Sequence, residues 1–479
     1  MALFKKGTEE KSVIKVSPES GVFLDKLFDQ TNSFYSLLTT LRTRRVGMGY
    51  SIESGVPETF ANAPERLLKQ ALGPLNHVSD KEPQGLSSFE EAVLCWAGAG
   101  LNGMVLGDIA VNGGLKSILS LTGRTVPSSS NDLSVELVVV NDQGVFIYKP
   151  QPKDHSYISS KNKQDRKKIF TWYEEGMIQL SNSRPDVVWP GAPEGTRNAS
   201  ALGAQQYNLN RPGSTWFLPI GDLGIEWFNQ LLNAYELSGF YLQDPETMEP
   251  AGCKNWIKPG FLEVAFPIPI FDEQILMMHS NQVGAMIQNI RLACESLGLG
   301  AWVVGGYADD LVLGAYPDIT NGLGFNYITR DPNKNPTLNP SYCTGLEGFI
   351  EATVVPSKKF PTPEQAIDFV VQKRIDEGLL KRELLNNPSL APYKPDVLER
   401  IVNNENTYWA DWTLEAAIAT VEYIVDKYGC APAFINPMRA KLSIQVHHLD
   451  IDFYTKYYTD DVVEQYIPAQ FRNHFDNWH

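Results

Sequence analysis

Two periods of hydrophobic positions organise this chain. From Gln282 to Leu297 the residues Val283, Met286, Ile287, Ile290, Ala293, Cys294 and Leu297 recur at helical spacing and predict one helix with a wide apolar face. Gly284, Ala285 and Ala293 keep that helix thin enough for close packing. Gly298 and Gly300 end it, because glycine accepts left-handed backbone at little cost. Ala301 to Val304 then reads as a short buried strand. Gly305-Gly306 follows as a bend where no side chain bars a flat ligand. Taken alone, the window is a buried helix, a helix stop and a core strand. The other period is two. Ser134 to Val140 and Val145 to Tyr148 flank Asn141-Asp142-Gln143-Gly144 and predict a β-hairpin.

Weaker patterns fill in the rest. Asn32 to Leu41 predicts a helix, Pro64 to Ala71 a short one, and Ser87 to Glu91 a cap opening an apolar helix over 92–106. Asp165 to Leu180 has amphipathic helical spacing. The segment 182–213 is a long irregular loop, and 261–270 reads as strands interrupted by prolines. Beyond Pro361 the spacing turns helical at 363–377, 394–403, 409–428 and 441–458. These patterns predict an α+β fold. Residues 1–33 form a lead-in, 34–345 the main domain with a lid inserted at about 151–270, and 346–479 a helical C-terminal extension.

Composition narrows the function. Of the 479 residues 43% are hydrophobic and 20% charged, a globular balance. The net charge of −15 argues against general affinity for nucleic acid or an anionic membrane surface. No apolar run is long enough to span a bilayer, and the charged start MALFKKGTEEKSVIK lacks a secretion core. Five scattered cysteines without a CxxC pair suit reduced, mostly buried thiols in a cytoplasmic protein. His447-His448 does not suggest a metal, because adjacent helical positions point about 100° apart and cannot share one ion. His279 precedes the predicted long helix, where capping or packing is as open a role as catalysis, and Cys294 reads as core.

Three polar stretches carry the candidate chemistry. Arg42, Arg44 and Arg45 cluster around Thr43 in an acidic chain, and guanidinium groups beside a hydroxyl suit a phosphate. Pro127-Ser128-Ser129-Ser130-Asn131 is a loop of short polar side chains that feeds the hairpin. The third is the stretch 297–307 with its double glycine. In order, the three resemble the flavin-contacting pieces of the FMN-dependent nitroreductase superfamily. Arg42, Thr43 and Arg45 fit its N-terminal signature, although Leu41 stands where another arginine is frequent. Pro127, Ser128, Ser129 and Asn131 fit its PSxxN loop. Val303, Val304, Gly305 and Gly306 replace the Pro and Glu that frequently precede its glycine, so contacts there fall to the backbone. GRTVPSSSN before a hairpin looks most like the branch that oxidises azoline rings in peptide natural products. The resemblance covers about 34–150 and 275–330.

The resemblance implies a nitroreductase-like fold with a long helix at the interface of a homodimer, and FMN as cofactor. Flavin N5 would carry the hydride, so no acid/base residue is required. NAD(P)H would be the reductant in a ping-pong cycle, or oxygen the final acceptor in a dehydrogenase cycle. Tyr207, Arg211 and Trp216 of the lid are the candidate contacts for a small-molecule or peptide substrate. The rival reading is a catalytically weak member that keeps the fold as a scaffold in a biosynthetic complex. A hydrolase is disfavoured, because no nucleophile elbow or paired-acid motif is present.

Overall fold

The structure, a computed structural model, describes residues 34–52, 74–104, 122–129, 132–150, 163–187, 202, 209–378 and 393–478. Its centre is an antiparallel sheet of seven strands. Six run in the spatial order Gly300–Val304, Ser443–His447, Ser214–Asp222, Val135–Asn141, Gly144–Tyr148 and Met177–Ser181. The seventh, Met438–Arg439, pairs with the end of Ser214–Asp222. Side chains alternate across the sheet, as the period of a strand requires. Trp216, Leu218 and Ile220 point into one core with Val138, Val140 and Trp302. Phe217 points to the other face with Leu137, Val139 and Val446. A small sheet of Asn326–Thr329, Ser341–Leu346 and Ile350–Glu351 adds Tyr342, Cys343 and Ile350 to the first core.

The helix Ile268–Leu297 joins the two halves of the molecule. Its 30 residues span about 45 Å. Val283, Met286, Ile287, Ile290 and Cys294 lie on the sheet. Ile268, Phe271 and Ile275 lie instead in a helical cluster with Leu223–Ser238, Pro363–Glu377 and Asp411–Tyr428. Gly298 stops the helix at φ 77°, and a Cβ there would sit 2.4 Å from the Gln470 carbonyl oxygen. An earlier helix, Ser88–Ala99, opens on a capping box between Ser87 and Glu90. It crosses the long helix closely, since a Cβ on Gly98 would come within 2.7 Å of Ile290 Cδ1.

Several expectations hold. The long helix, its glycine stop, the strand after it and the hairpin form as the spacing predicts, and all five cysteines are buried and unpaired. Others are corrected. The helix predicted over 441–458 is a strand, Ser443–His447, followed by a short helix, Ile451–Tyr457. Residues 346–479 are therefore no separate extension, for that strand fills the slot between Gly300–Val304 and Ser214–Asp222. The segment 151–270 is no lid either, because Ser214–Asp222 is a fully embedded sheet strand and Leu223–Ser238 carries the buried Trp227, Phe228 and Leu231. The helix predicted over 165–180 ends at Gly176 and becomes a sheet strand, Met177–Ser181. The strands predicted over 261–270 give way to helix at Ile268, and the helix predicted at 64–71 lies outside the described residues.

Candidate functional site

The first polar stretch lies along the sheet end. Arg44 N–H donates to the Ala301 carbonyl (3.0 Å), Met48 N–H to that of His448 (3.0 Å), and Asp450 N–H to that of Val46 (3.1 Å). Extended backbone alternates its side chains. Arg44 therefore turns inward and is 1% exposed, while Thr43 and Arg45 face solvent. Arg44 binds Glu295 of the long helix (2.7 Å), donates to the Tyr466 and Thr40 carbonyls, and lies over the Phe471 ring at 4.0 Å. Burial lowers the Arg44 pKa and raises that of Glu295, while their mutual attraction opposes both shifts. Arg44 is thus spent on the fold. Arg42 lies half-buried over the Tyr466 ring (4.7 Å), and its buried Nε makes no hydrogen bond. Arg45 lies over the Trp302 ring at 5.2 Å.

Those contacts bring the first and third stretches together. Gly300–Val304 ends the sheet order, with Ser443–His447 as its strand partner. Val304 is 2% exposed within the core, so it offers only backbone, whereas Val303 is 37% exposed. At the bend, a Cβ on Gly305 would meet Leu442 Cδ2 at 2.8 Å, the movable tip of a half-buried side chain, while Gly306 is exposed. Arg439 and Lys441 flank this bend, paired with Asp309 and with the Tyr307 carbonyl respectively.

The second stretch sits further down the long helix. Asn289 donates to the Thr125 carbonyl (2.9 Å), six residues or about 9 Å of helix rise before Glu295. Pro127 and Ser129 are exposed, Ser128 donates to Asp132 (2.9 Å), and Ser130 and Asn131 lie outside the described residues. Beside this loop opens a cleft of about 340 Å³, lined by Arg124, Val126, Leu133, Tyr148, Gln282 and Met286.

Next to that cleft, sequence reading missed a buried polar group. Ser134 Oγ lies 3.1 Å from both Glu226 Oε2 and Gln282 Oε1. One hydroxyl proton cannot serve two acceptors, and Glu226 is wholly buried. Burial first, then the negative charge of Asp132, raises the Glu226 pKa, which favours a protonated carboxyl at this group. Asp132 and Ser134 adjoin the serine loop in sequence, which is the only local signal. Glu226 and Gln282 come from distant helices.

His279 does not precede the long helix but lies inside it, 5% exposed, against Gly221, where a Cβ would come 1.8 Å from its ring. Burial, then the charge of Arg439, lowers its pKa to about 4. The unfolded chain therefore takes up this proton below about pH 6.5 while the folded chain does not until about pH 4, so stability falls with pH across that window. We expect His279→Gln to remove up to about 3 kcal/mol of that fall, read from urea midpoints at pH 7 and pH 4.5. An unchanged acid slope would contradict the assignment.

Among the proposed substrate contacts, Trp216 is corrected. It is wholly buried in the central strand, edge-on to Tyr307 at 6.0 Å, and so faces no substrate. Arg211 is exposed, and Tyr207 lies outside the described residues. No helix among the described residues is long and apolar enough to cross a membrane.

No family model and no curated protein matches the chain. Among solved structures, a chain from Ralstonia eutropha JMP134, named a nitroreductase by assignment, matches 48% of this chain at 16% identity with a TM-score of 0.21. The match spans 65% of the length of that solved chain.

Proposed function

We propose that this protein is an FMN-dependent oxidoreductase, working as a homodimer, with the flavin held between the arginine stretch and the Gly305-Gly306 bend. The observation that carries this reading is the state of the arginines. Arg44 is consumed internally and Arg42 keeps a buried Nε with no acceptor on the same inner side, while Thr43 and Arg45 stay exposed on the other. The exposed guanidinium of Arg45 and hydroxyl of Thr43 suit an anionic group such as a phosphate. When bound, FMN supplies hydride transfer through its N5 position. The chain's own share is positional. Thr43 and Arg45 would bind the phosphate, joined by Arg42 on rotation of its guanidinium, and the half-buried Gly305 with the exposed Gly306 would admit a ring edge that side chains would block. The serine loop lies along the same helix, with Ser129 exposed and Ser128 engaged by Asp132. NAD(P)H is the proposed electron donor, and a small molecule or modified peptide the acceptor.

A second reading, a partner-binding subunit with little or no flavin, draws on a specific observation: Arg44 and Ser128 are already spent on internal partners. Purification separates the two. The oxidoreductase reading expects a yellow protein that releases FMN on denaturation and whose flavin is bleached by NADH or NADPH under anaerobic conditions. A colourless protein that takes up no added FMN would leave only the scaffold reading. Replacing Arg42 and Arg45 together with alanine is expected to weaken FMN binding by about 100-fold, or about 3 kcal/mol, in a fluorescence titration.

A further inference from the structure

Glu90, His448 and His474 meet at the far end of the long helix. They come from three elements: the first turn of Ser88–Ala99, the end of the strand Ser443–His447, and the C-terminal helix Ala469–Trp478. We propose that these three side chains form a site for one divalent transition-metal ion, zinc foremost, which fastens the C-terminal helix to the core.

The geometry supports it. One donor atom from each residue lies within 4.8 Å of the other two. His474 Nε2 is 3.4 Å from Glu90 Oε1 and 3.3 Å from His448 Nδ1, and His448 Nε2 is 3.5 Å from Glu90 Oε2. Those distances involve both nitrogens of His448 and both oxygens of Glu90, and one ion would take a single nitrogen from each ring. With one donor atom per residue all three lie within 4.8 Å of one another, against about 3.3 Å for ligands bound tetrahedrally to zinc at about 2.0–2.1 Å, so side-chain adjustments of up to about 1.5 Å close the site. Two imidazoles and a carboxylate leave a fourth position for water, a donor set that suits zinc better than magnesium or calcium.

Glu90 supplies the independent observation. Its Oε2 completes the capping box by accepting from Ser87 N and Oγ, both at 2.7 Å. A capping glutamate does that work equally well in water, yet Glu90 is 1% exposed, and its Oε1 accepts no hydrogen bond although it faces His474. His447 takes no part, because its ring turns away and packs on Gly47 and Gly300, with Cβ positions only 2.7 and 2.6 Å from it. His447 and His448 are buried at a strand end and not adjacent on a surface helix as expected, and only His448 joins the group.

The test uses the full chain, stripped with a chelator and then titrated with zinc alone. We expect uptake of one ion per chain by calorimetry and elemental analysis, with a rise in thermal midpoint. His474→Gln and Glu90→Gln should each weaken uptake by roughly 100-fold while far-UV circular dichroism stays native. Folded protein that takes up no zinc, or uptake unaltered in both variants, would mean a hydrogen-bonded triad only and would overturn the proposal. The readout does not depend on flavin, so the outcome is separate from that of the oxidoreductase reading.

Discussion

A chain ended at residue 345 is expected to show no cooperative unfolding transition. The deletion removes Ser443–His447, which leaves Gly300–Val304 without its strand partner and Ser214–Asp222 with a bare edge. It also removes Pro363–Glu377 and Asp411–Tyr428 from the helical cluster. Val370, Val421, Ile424, Ile444 and Val446 are each wholly buried. At about 1.5–3 kcal/mol for each such side chain, these five alone match the whole stability margin of about 5–15 kcal/mol of an ordinary domain. Thermal melts followed by circular dichroism, with limited proteolysis, would decide. A protease-resistant 1–345 fragment with a melt like that of the full chain would restore the picture of a separable extension.

Arg44→Ala is expected to cost about 3–5 kcal/mol, because it strands the Glu295 carboxylate in a site only 2% exposed. The loss would also remove the packing of the guanidinium over Phe471 and its bonds to Tyr466 and Thr40. The double variant Arg44→Met with Glu295→Leu should recover most of that loss, since exchanging both members of a buried pair for apolar groups is commonly near neutral. Arg45→Ala, on the exposed side of the same stretch, should move stability by less than about 0.5 kcal/mol. Urea midpoints for the four proteins would test the division of labour. Equal costs for Arg44→Ala and Arg45→Ala would contradict it.

What could be read from the sequence was local. The long helix announced itself because one face is apolar over many turns and a glycine closes it. The hairpin did so because its turn residues sit between two β-branched runs. The strand Ser443–His447 was misread although Ser443, Gln445 and His447 alternate with Ile444 and Val446, because the run is only five residues long and its polar side is buried as fully as its apolar one. Its polar residues are held by distant groups: Gln445 donates to the Tyr50 hydroxyl and accepts from Asn210 N–H. The same holds for the arginines. Nothing near Arg44 distinguishes it from Arg42 or Arg45, because Glu295 lies 251 positions away. Trp216 looked like a lid residue only because the loop before it is irregular. The group of Glu90, His448 and His474 leaves no spacing signature, for its members belong to elements that meet only in the finished fold.

The late strand has a consequence for biosynthesis. A ribosome emits Gly300–Val304 roughly 7–30 s before His447, at about 5–20 residues per second. Throughout that interval the nascent sheet carries an empty slot bounded by unsatisfied amide and carbonyl groups, a template on which another chain can pair. The centre of the sheet therefore closes only after residue 447 has emerged, and a chaperone that shields the slot would be expected to raise the yield.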